Sequence, residues 1–94
     1  MSENQGTNRC VWVFCGDKGR FPGAVFTDRK KAEAWISENS LCGVLTKYPL
    51  DKPAYEWAIE RSYFVPKKDH ERSPNFIGSF TCAQMEHYHY GASD

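Results

Sequence analysis

The fold is decided by the stretch Leu45-Thr-Lys-Tyr-Pro-Leu-Asp-Lys-Pro-Ala-Tyr-Glu-Trp-Ala-Ile-Glu-Arg-Ser-Tyr-Phe-Val-Pro66. Its first residues predict a strand, which Pro49 ends because proline has no N–H to donate to a sheet. Asp51 is the predicted N-cap of a helix, and Pro53 lies in its first turn, where a missing N–H costs nothing. The helix is rich in aromatic residues and ends before Pro66. A strand followed closely by such a helix predicts a domain that contains both α and β structure.

The segments around this stretch give the element order β-β-α-β-α-β. Cys10–Cys15 is apolar on both alternating faces, which predicts a central strand covered on both sides. A helix capped by Thr27 or Asp28 runs to about Asn39. We therefore expect an α+β or α/β fold, with a four- to five-stranded mixed sheet, two helices, and right-handed crossovers wherever strands are parallel. The other predicted strands are Ala24–Phe26, Cys42–Tyr48 and Phe76–Thr81.

The length of 94 residues allows one domain with one modest core. We expect a flexible polar arm over residues 1–9, one globular domain over 10–90 and a short tail over 91–94. The charged segment 67–75 predicts an exposed loop. Residues 83–90 are compatible with either a helical turn or a strand.

Composition lowers the expectation for several classes of protein. Twelve basic and twelve acidic residues give a net charge of zero, whereas nucleic-acid binders usually carry an excess of Lys and Arg. The polar start lacks the apolar core of a signal peptide, and no apolar run approaches the length of a membrane span. The four cysteines, Cys10, Cys15, Cys42 and Cys82, form no Cys-x-x-Cys pair. We expect a cytoplasmic protein, away from membranes, with reduced thiols.

Several phrases of the sequence together resemble a known family. The resemblance is to small bacterial domains of unknown function, some of which are similar to passengers of mobile gene cassettes. It covers about Val11 to Tyr90 and implies a bacterial module, freestanding or appended, with no assigned catalytic residues. The phrases are Val11-Trp-Val-Phe, Arg20-Phe-Pro-Gly-Ala-Val-Phe-Thr, Ala32-Glu-Ala-Trp-Ile, Leu45-Thr-Lys-Tyr-Pro-Leu-Asp, Tyr55-Glu-Trp-Ala-Ile, Phe76-Ile-Gly-Ser-Phe and Glu86-His-Tyr-His-Tyr90.

Glu86-His-Tyr-His-Tyr90 is the sharpest local feature. On a strand, His87 and His89 would share one face, and Glu86, Tyr88 and Tyr90 the other. A His-x-His pair can give a metal two ligands, but no third ligand has diagnostic spacing, so neither a metal nor another cofactor is predicted. The third-ligand candidates are Cys82, His70 and Glu86.

The same two histidines could act as general bases, with Cys82 as a nucleophile. An inert, buried Cys82 is the favoured interpretation. An enzyme centred on His87 and His89 therefore remains an alternative function.

Basic residues cluster around the start of the first helix, where cations oppose the helix dipole. This conflict can indicate an anion-binding site, although a solvated helix face is the favoured interpretation. Anion or nucleic-acid binding is thus a third alternative, with nucleic acid disfavoured by the net charge. The residues are Lys18, Arg20, Arg29, Lys30 and Lys31.

Fourteen Phe, Trp and Tyr residues are many for one small core. Trp35 and Trp57 are predicted to pack on the sheet from the apolar arcs of their helices. Asp51 and Tyr55 could line a shallow pocket, and surplus rings such as Tyr88 and Tyr90 are expected at an interface. The preferred function is therefore a non-enzymatic interaction module that forms a homodimer or binds another, unknown protein.

Overall fold

The computed structural model describes residues 9–91, which form a four-stranded sheet and three α-helices. The predicted arm and tail lie outside this range except for Arg9 and Gly91. The elements are β1 (Cys10–Gly16), β2 (Ala24–Phe26), α1 (Arg29–Glu38), β3 (Gly43–Pro49), α2 (Ala54–Glu60), a 3₁₀ turn (Asp69–Arg72), α3 (Pro74–Ser79) and β4 (His87–Tyr90). Within the described range no helix has the length and apolar character that crossing a membrane requires.

The strand order is β2-β1-β3-β4, with every neighbouring pair antiparallel. This confirms the α+β class and the central position of β1. The prediction of a mixed sheet is wrong because the connection through α1 joins two strands, β2 and β3, that are not neighbours in the sheet. Strands β2 and β3 do run in the same direction, but β1 lies between them, so the crossover creates no parallel pair.

Helix α1 begins where the sequence predicts. Asp28 is its N-cap, and the side-chain Oδ1 accepts a hydrogen bond from the backbone N–H of Lys30 at 2.9 Å. The helix buries Ala32 and Ile36 against the sheet. Trp35 packs beside them, with its ring centroid 5.5 Å from that of Phe14, which confirms its predicted position on the sheet.

The sheet has one covered face and one face without buried residues. Trp12, Phe14 and Leu45 point towards α1 and are 8%, 3% and 0% exposed. The residues that alternate with them in register point the other way, and none is buried. We call this second surface the open face. Its residues are Val11, Val13, Cys15, Val25, Val44, Thr46, Tyr48, His87 and His89.

The open face corrects the expectation that β1 is covered on both sides. The molecule measures 43 × 39 × 19 Å, and its short dimension accommodates one sheet with one layer of helices. The apolar character of β1 on both faces therefore indicates two different environments: a packed core on one side and an uncovered valine surface on the other.

The second helical unit departs most from the prediction. Asp51 is not a cap: it adopts φ 61° two residues before the N-cap, which is Pro53. Helix α2 buries only Ala58, so it is less buried than α1, contrary to the expectation from its wide apolar arc. Trp57 is half-buried outside the core cluster, and its ring contacts are with Tyr63 and Arg61.

The predicted strand Phe76–Thr81 is also wrong, because the segment forms α3. Ser73 is its N-cap, with the hydroxyl accepting from the N–H of Phe76 at 3.3 Å, and Pro74 occupies the first turn. This cap and proline outweigh the β-propensity of the aromatic residues. The fourth strand is β4 instead, and the segment predicted as a charged loop contains the 3₁₀ turn.

A second aromatic cluster joins α2 to α3 and accounts for several of the surplus rings. Its neighbouring ring centroids lie 5.0–6.3 Å apart. The Tyr55 hydroxyl also donates to the carbonyl of Glu71 at 2.9 Å. The carboxylate of Glu71 accepts from the N–H groups of Lys67 and Lys68, which lowers the Glu71 pKa. The cluster consists of Tyr55, Phe64, Phe76 and Phe80.

Candidate functional site

The open face carries no Asp, Glu, Lys or Arg side chain. Strand alternation brings the four valines of β1, β2 and β3 to this side, whereas Lys47 of β3 points to the covered side. Val25, on edge strand β2, is 60% exposed. An aliphatic surface without charge is unusual for a water-exposed sheet and is typical of a surface that binds protein.

His87 and His89 lie at the β4 edge of the open face, as their spacing predicts. Their ring centroids are 5.3 Å apart. The Nδ1 of His87 lies 2.8 Å from the carbonyl oxygen of Met85, which can only accept, so Nδ1 carries the proton. Across the strand, His87 faces Thr46 and His89 faces Val44. Across the strand the two imidazoles therefore have aliphatic and hydroxyl neighbours, and within residues 9–91 no hydrogen bond joins either ring to a carboxylate that would orient a general base.

The metal-ligand candidates do not converge. Glu86 points to the covered face, where it forms ion pairs with Arg29 and Lys47. Among residues 9–91, no group of three His, Cys, Asp or Glu side chains is placed to hold a metal ion. Within the same range no disulfide joins the cysteines, and Cys82 is partly buried.

Tyr88 and Tyr90 share a face, but it is the covered one. The Tyr88 ring lies 6.0 Å from that of Trp12. The Tyr90 hydroxyl donates to Glu33 at 2.7 Å, and burial together with this bond raises the pKa of Tyr90 to about 12. The hydrogen bond to Glu86 raises the pKa of Tyr88. Both tyrosines close the core beneath α1, so they are not part of the open face.

Arg29 is engaged within the fold. Its guanidinium lies 4.6 Å from the Tyr88 ring centroid and forms ion pairs with Glu33 at 3.5 Å and Glu86 at 3.6 Å. The dipole conflict at the start of α1 is thus relieved by two carboxylates and an aromatic ring. The other four predicted anion-binding residues are exposed, and none of them has an ion pair within residues 9–91. They are Lys18, Arg20, Lys30 and Lys31.

The structure separates Asp51 from Tyr55. Asp51 lines a groove beside α2, whereas the Tyr55 ring lies in the second aromatic cluster. The sequence-based reasoning missed both this groove and the open face. The groove is assembled from distant segments and has no local signal. The open face had a local signal: three of the six alternating positions of β1 and β3 on this face are valines, namely Val11, Val13 and Val44.

Comparisons with known proteins give one result. A family model described as a domain of unknown function (DUF7710) matches residues 11–94. This match confirms the resemblance to domains of unknown function over nearly the same range. No curated protein and no solved structure gives a significant match.

Proposed function

We propose that this chain, which belongs to the DUF7710 family of domains of unknown function, is a non-enzymatic interaction module that self-associates through its open face. The observation that carries the proposal is an uncharged, valine-rich sheet face with no buried residue. The partner is a second copy of the chain. Two such faces can stack as aligned sheets about 10 Å apart, with side chains interdigitating as in a β-sandwich.

The size of the face supports a specific but modest contact. Strands β1 and β3 have seven residues each, and β2 and β4 have three and four. At about 3.3 Å per residue and 4.8 Å per strand, the face covers roughly 330 Å² in plan. Projecting side chains enlarge the accessible area, so two stacked copies bury on the order of 1,000 Å², near the lower bound for a specific interface.

The chemistry of the face favours a second copy. In a two-fold contact the same patch lies on both sides, so any charge near the axis would approach its own copy. The open face lacks Asp, Glu, Lys and Arg, and its two histidines lie at the β4 edge, so the valines at its centre can oppose their own copy without repulsion or charge desolvation. The aromatic residues expected to supply the contact are largely packed internally, so the valines replace Tyr88 and Tyr90 as its proposed centre.

Sedimentation equilibrium tests this proposal with a charge placed on the face. Wild type is expected to show a monomer–dimer equilibrium at micromolar to submillimolar concentration. Val13 lies in the middle of β1 between Val25 and Thr46, so Val13→Asp should abolish dimerisation. Val25 lies on the more exposed edge strand, so Val25→Asp should weaken dimerisation. Circular dichroism checks that both variants fold.

Val65→Asp is the matched control, because Val65 is 59% exposed and lies outside the sheet. It should dimerise as wild type does. A wild type that stays monomeric at every concentration would refute self-association, and dimerisation of a folded Val13→Asp would refute the open face as its site.

We infer further that the protein is bacterial and cytoplasmic and that its gene travels in mobile cassettes. The sequence resemblance supports the bacterial origin and the mobile gene cassettes. The inference of a cytoplasmic location rests on the four cysteines, all of which are free thiols. Alkylation and mass spectrometry of protein taken directly from cells should count four reduced thiols; fewer would contradict a reducing compartment.

A further inference from the structure

A groove of about 700 Å³ lies on the covered side of the sheet, away from the open face. It forms where the start of β1, the end of β3, α2 and the turn before β4 meet. Cys10, Lys47 and Pro49 alternate in register with the open-face residues and therefore point into this side. The volume is in the range of small-molecule sites.

The groove has apolar patches among charged side chains, and it includes one large aromatic ring. Met85, 2% exposed, closes one side, and Pro49 and Leu50 form another. The indole of Trp57 lies on the α2 side, and the guanidinium of Arg61 lies 4.8 Å from its centroid. Because Arg61 is exposed, its guanidinium can move off the indole, and a flat molecule can then stack on the ring face that it leaves.

The charged groups of the groove are not fully paired. Lys52 Nζ forms an ion pair with Glu60 Oε2 at 2.7 Å, and Lys47 Nζ forms one with Glu86 Oε1 at 3.8 Å.

Three groups remain after these pairs. Among the described residues, Arg9 and Arg61 have no carboxylate partner, and Asp51 has no cationic one. Within residues 9–91 the groove therefore offers two guanidinium groups that have no carboxylate partner, next to an aromatic ring, together with one carboxylate that has no cationic partner.

We propose that this groove binds a small planar molecule that carries a single carboxylate. The ring stacks on Trp57, and the carboxylate accepts paired N–H donors from Arg61, supported by Arg9. Asp51 repels a second anionic group and accepts a hydrogen bond from a donor on the ring. A monocarboxylate with an N–H-bearing ring thus fits better than a polyanion or a neutral ring.

Indole-3-acetate is a suitable probe, with neutral indole-3-acetamide as its matched control. In ¹⁵N-labelled protein at low salt, the acetate should shift the Trp57 Nε1–H and Arg61 Nε–H resonances at submillimolar to millimolar concentration. The acetamide should bind at least tenfold more weakly. Arg61→Gln should weaken acetate binding at least tenfold, whereas Arg20→Gln, an exposed arginine outside the groove, should leave it unchanged.

Trp57→Leu provides a second variant, because it keeps an apolar wall but removes the stacking surface. It should weaken binding of the acetate and the acetamide alike. The proposal is overturned if the acetate produces no shifts at 10 mM, if both probes bind equally, or if Arg61→Gln and Arg20→Gln behave alike. Dimerisation through the open face is independent of each of these outcomes.

Discussion

Replacing Leu45 with alanine tests the packing of the core directly. Leu45 is 0% exposed and lies between its cross-strand neighbours Phe14 and Tyr88, with Ile36 of α1 in the same cluster. Leu→Ala at a buried site costs about 2.7–5.0 kcal/mol, and the cost rises when the surroundings cannot collapse into the cavity. Rings anchored on two strands resist such collapse, so we expect about 3–5 kcal/mol.

This loss is a large part of the total stability. A domain of this length has an unfolding free energy of about 5–14 kcal/mol. Since 1 kcal/mol shifts the melting temperature of a small domain by about 4–8 °C, Leu45→Ala should melt at least about 12 °C lower. Urea unfolding followed by circular dichroism gives the free-energy difference.

Val65→Ala is the control for this measurement, because Val65 is 59% exposed and its truncation should change stability by no more than about 0.5 kcal/mol. A loss below about 1 kcal/mol for Leu45→Ala, at low protein concentration, would show that the core beneath α1 is not packed as described.

Three further predictions address single contacts. Trp35→Ala should destabilise more than Trp57→Ala, because Trp35 packs against the buried cluster and Trp57 does not; thermal melts that rank them in reverse would contradict this packing. Ser73→Ala removes the N-cap of α3 and should cost about 1 kcal/mol by urea unfolding, with no loss expected if the segment were a strand. The pKa of Tyr90 is raised from its ordinary value of 10 to about 12, so the stability that the protonated hydroxyl contributes is present below pH 10 and is lost as the pH rises towards 12. Between pH 10 and 12, Tyr90→Phe should therefore lose less stability than wild type. Parallel curves of stability against pH for the two proteins would refute the bond to Glu33.

The sequence predicted the elements whose signals are local. Asp28 followed by an apolar i, i+3, i+4 pattern gave α1, and the alternation in β1 gave a central strand. At Ser73 and Pro74 an equally local helix start is present, and the strand predicted over Phe76–Thr81 is wrong because this start outweighs the β-propensity of the aromatic residues. At Asp51 the expected cap failed because the residue adopts a left-handed conformation within the turn.

The site could be predicted only in part because it depends on contacts between residues that are far apart in the sequence. The spacing of His87 and His89 correctly placed them on one face, but it could not show that Val44 and Thr46 lie beside them. Glu86 and Arg29 are far apart in the chain, and their ion pair could not be inferred from spacing. Likewise, no sequence pattern distinguishes an uncovered valine face from a buried one, since both consist of alternating aliphatic residues.

The open face is tested most directly by selective labelling of the valine methyl groups. The chain has five valines; Val11, Val13, Val25 and Val44 lie on the open face, and Val65 lies elsewhere. In an equal mixture of methyl-labelled and unlabelled protein, isotope-filtered nuclear Overhauser spectra detect only contacts between copies. We predict intermolecular contacts for the open-face valines, strongest for Val13 and Val44, and none for Val65. Contacts confined to Val65, or none for any valine at millimolar concentration, would contradict self-association through the open face.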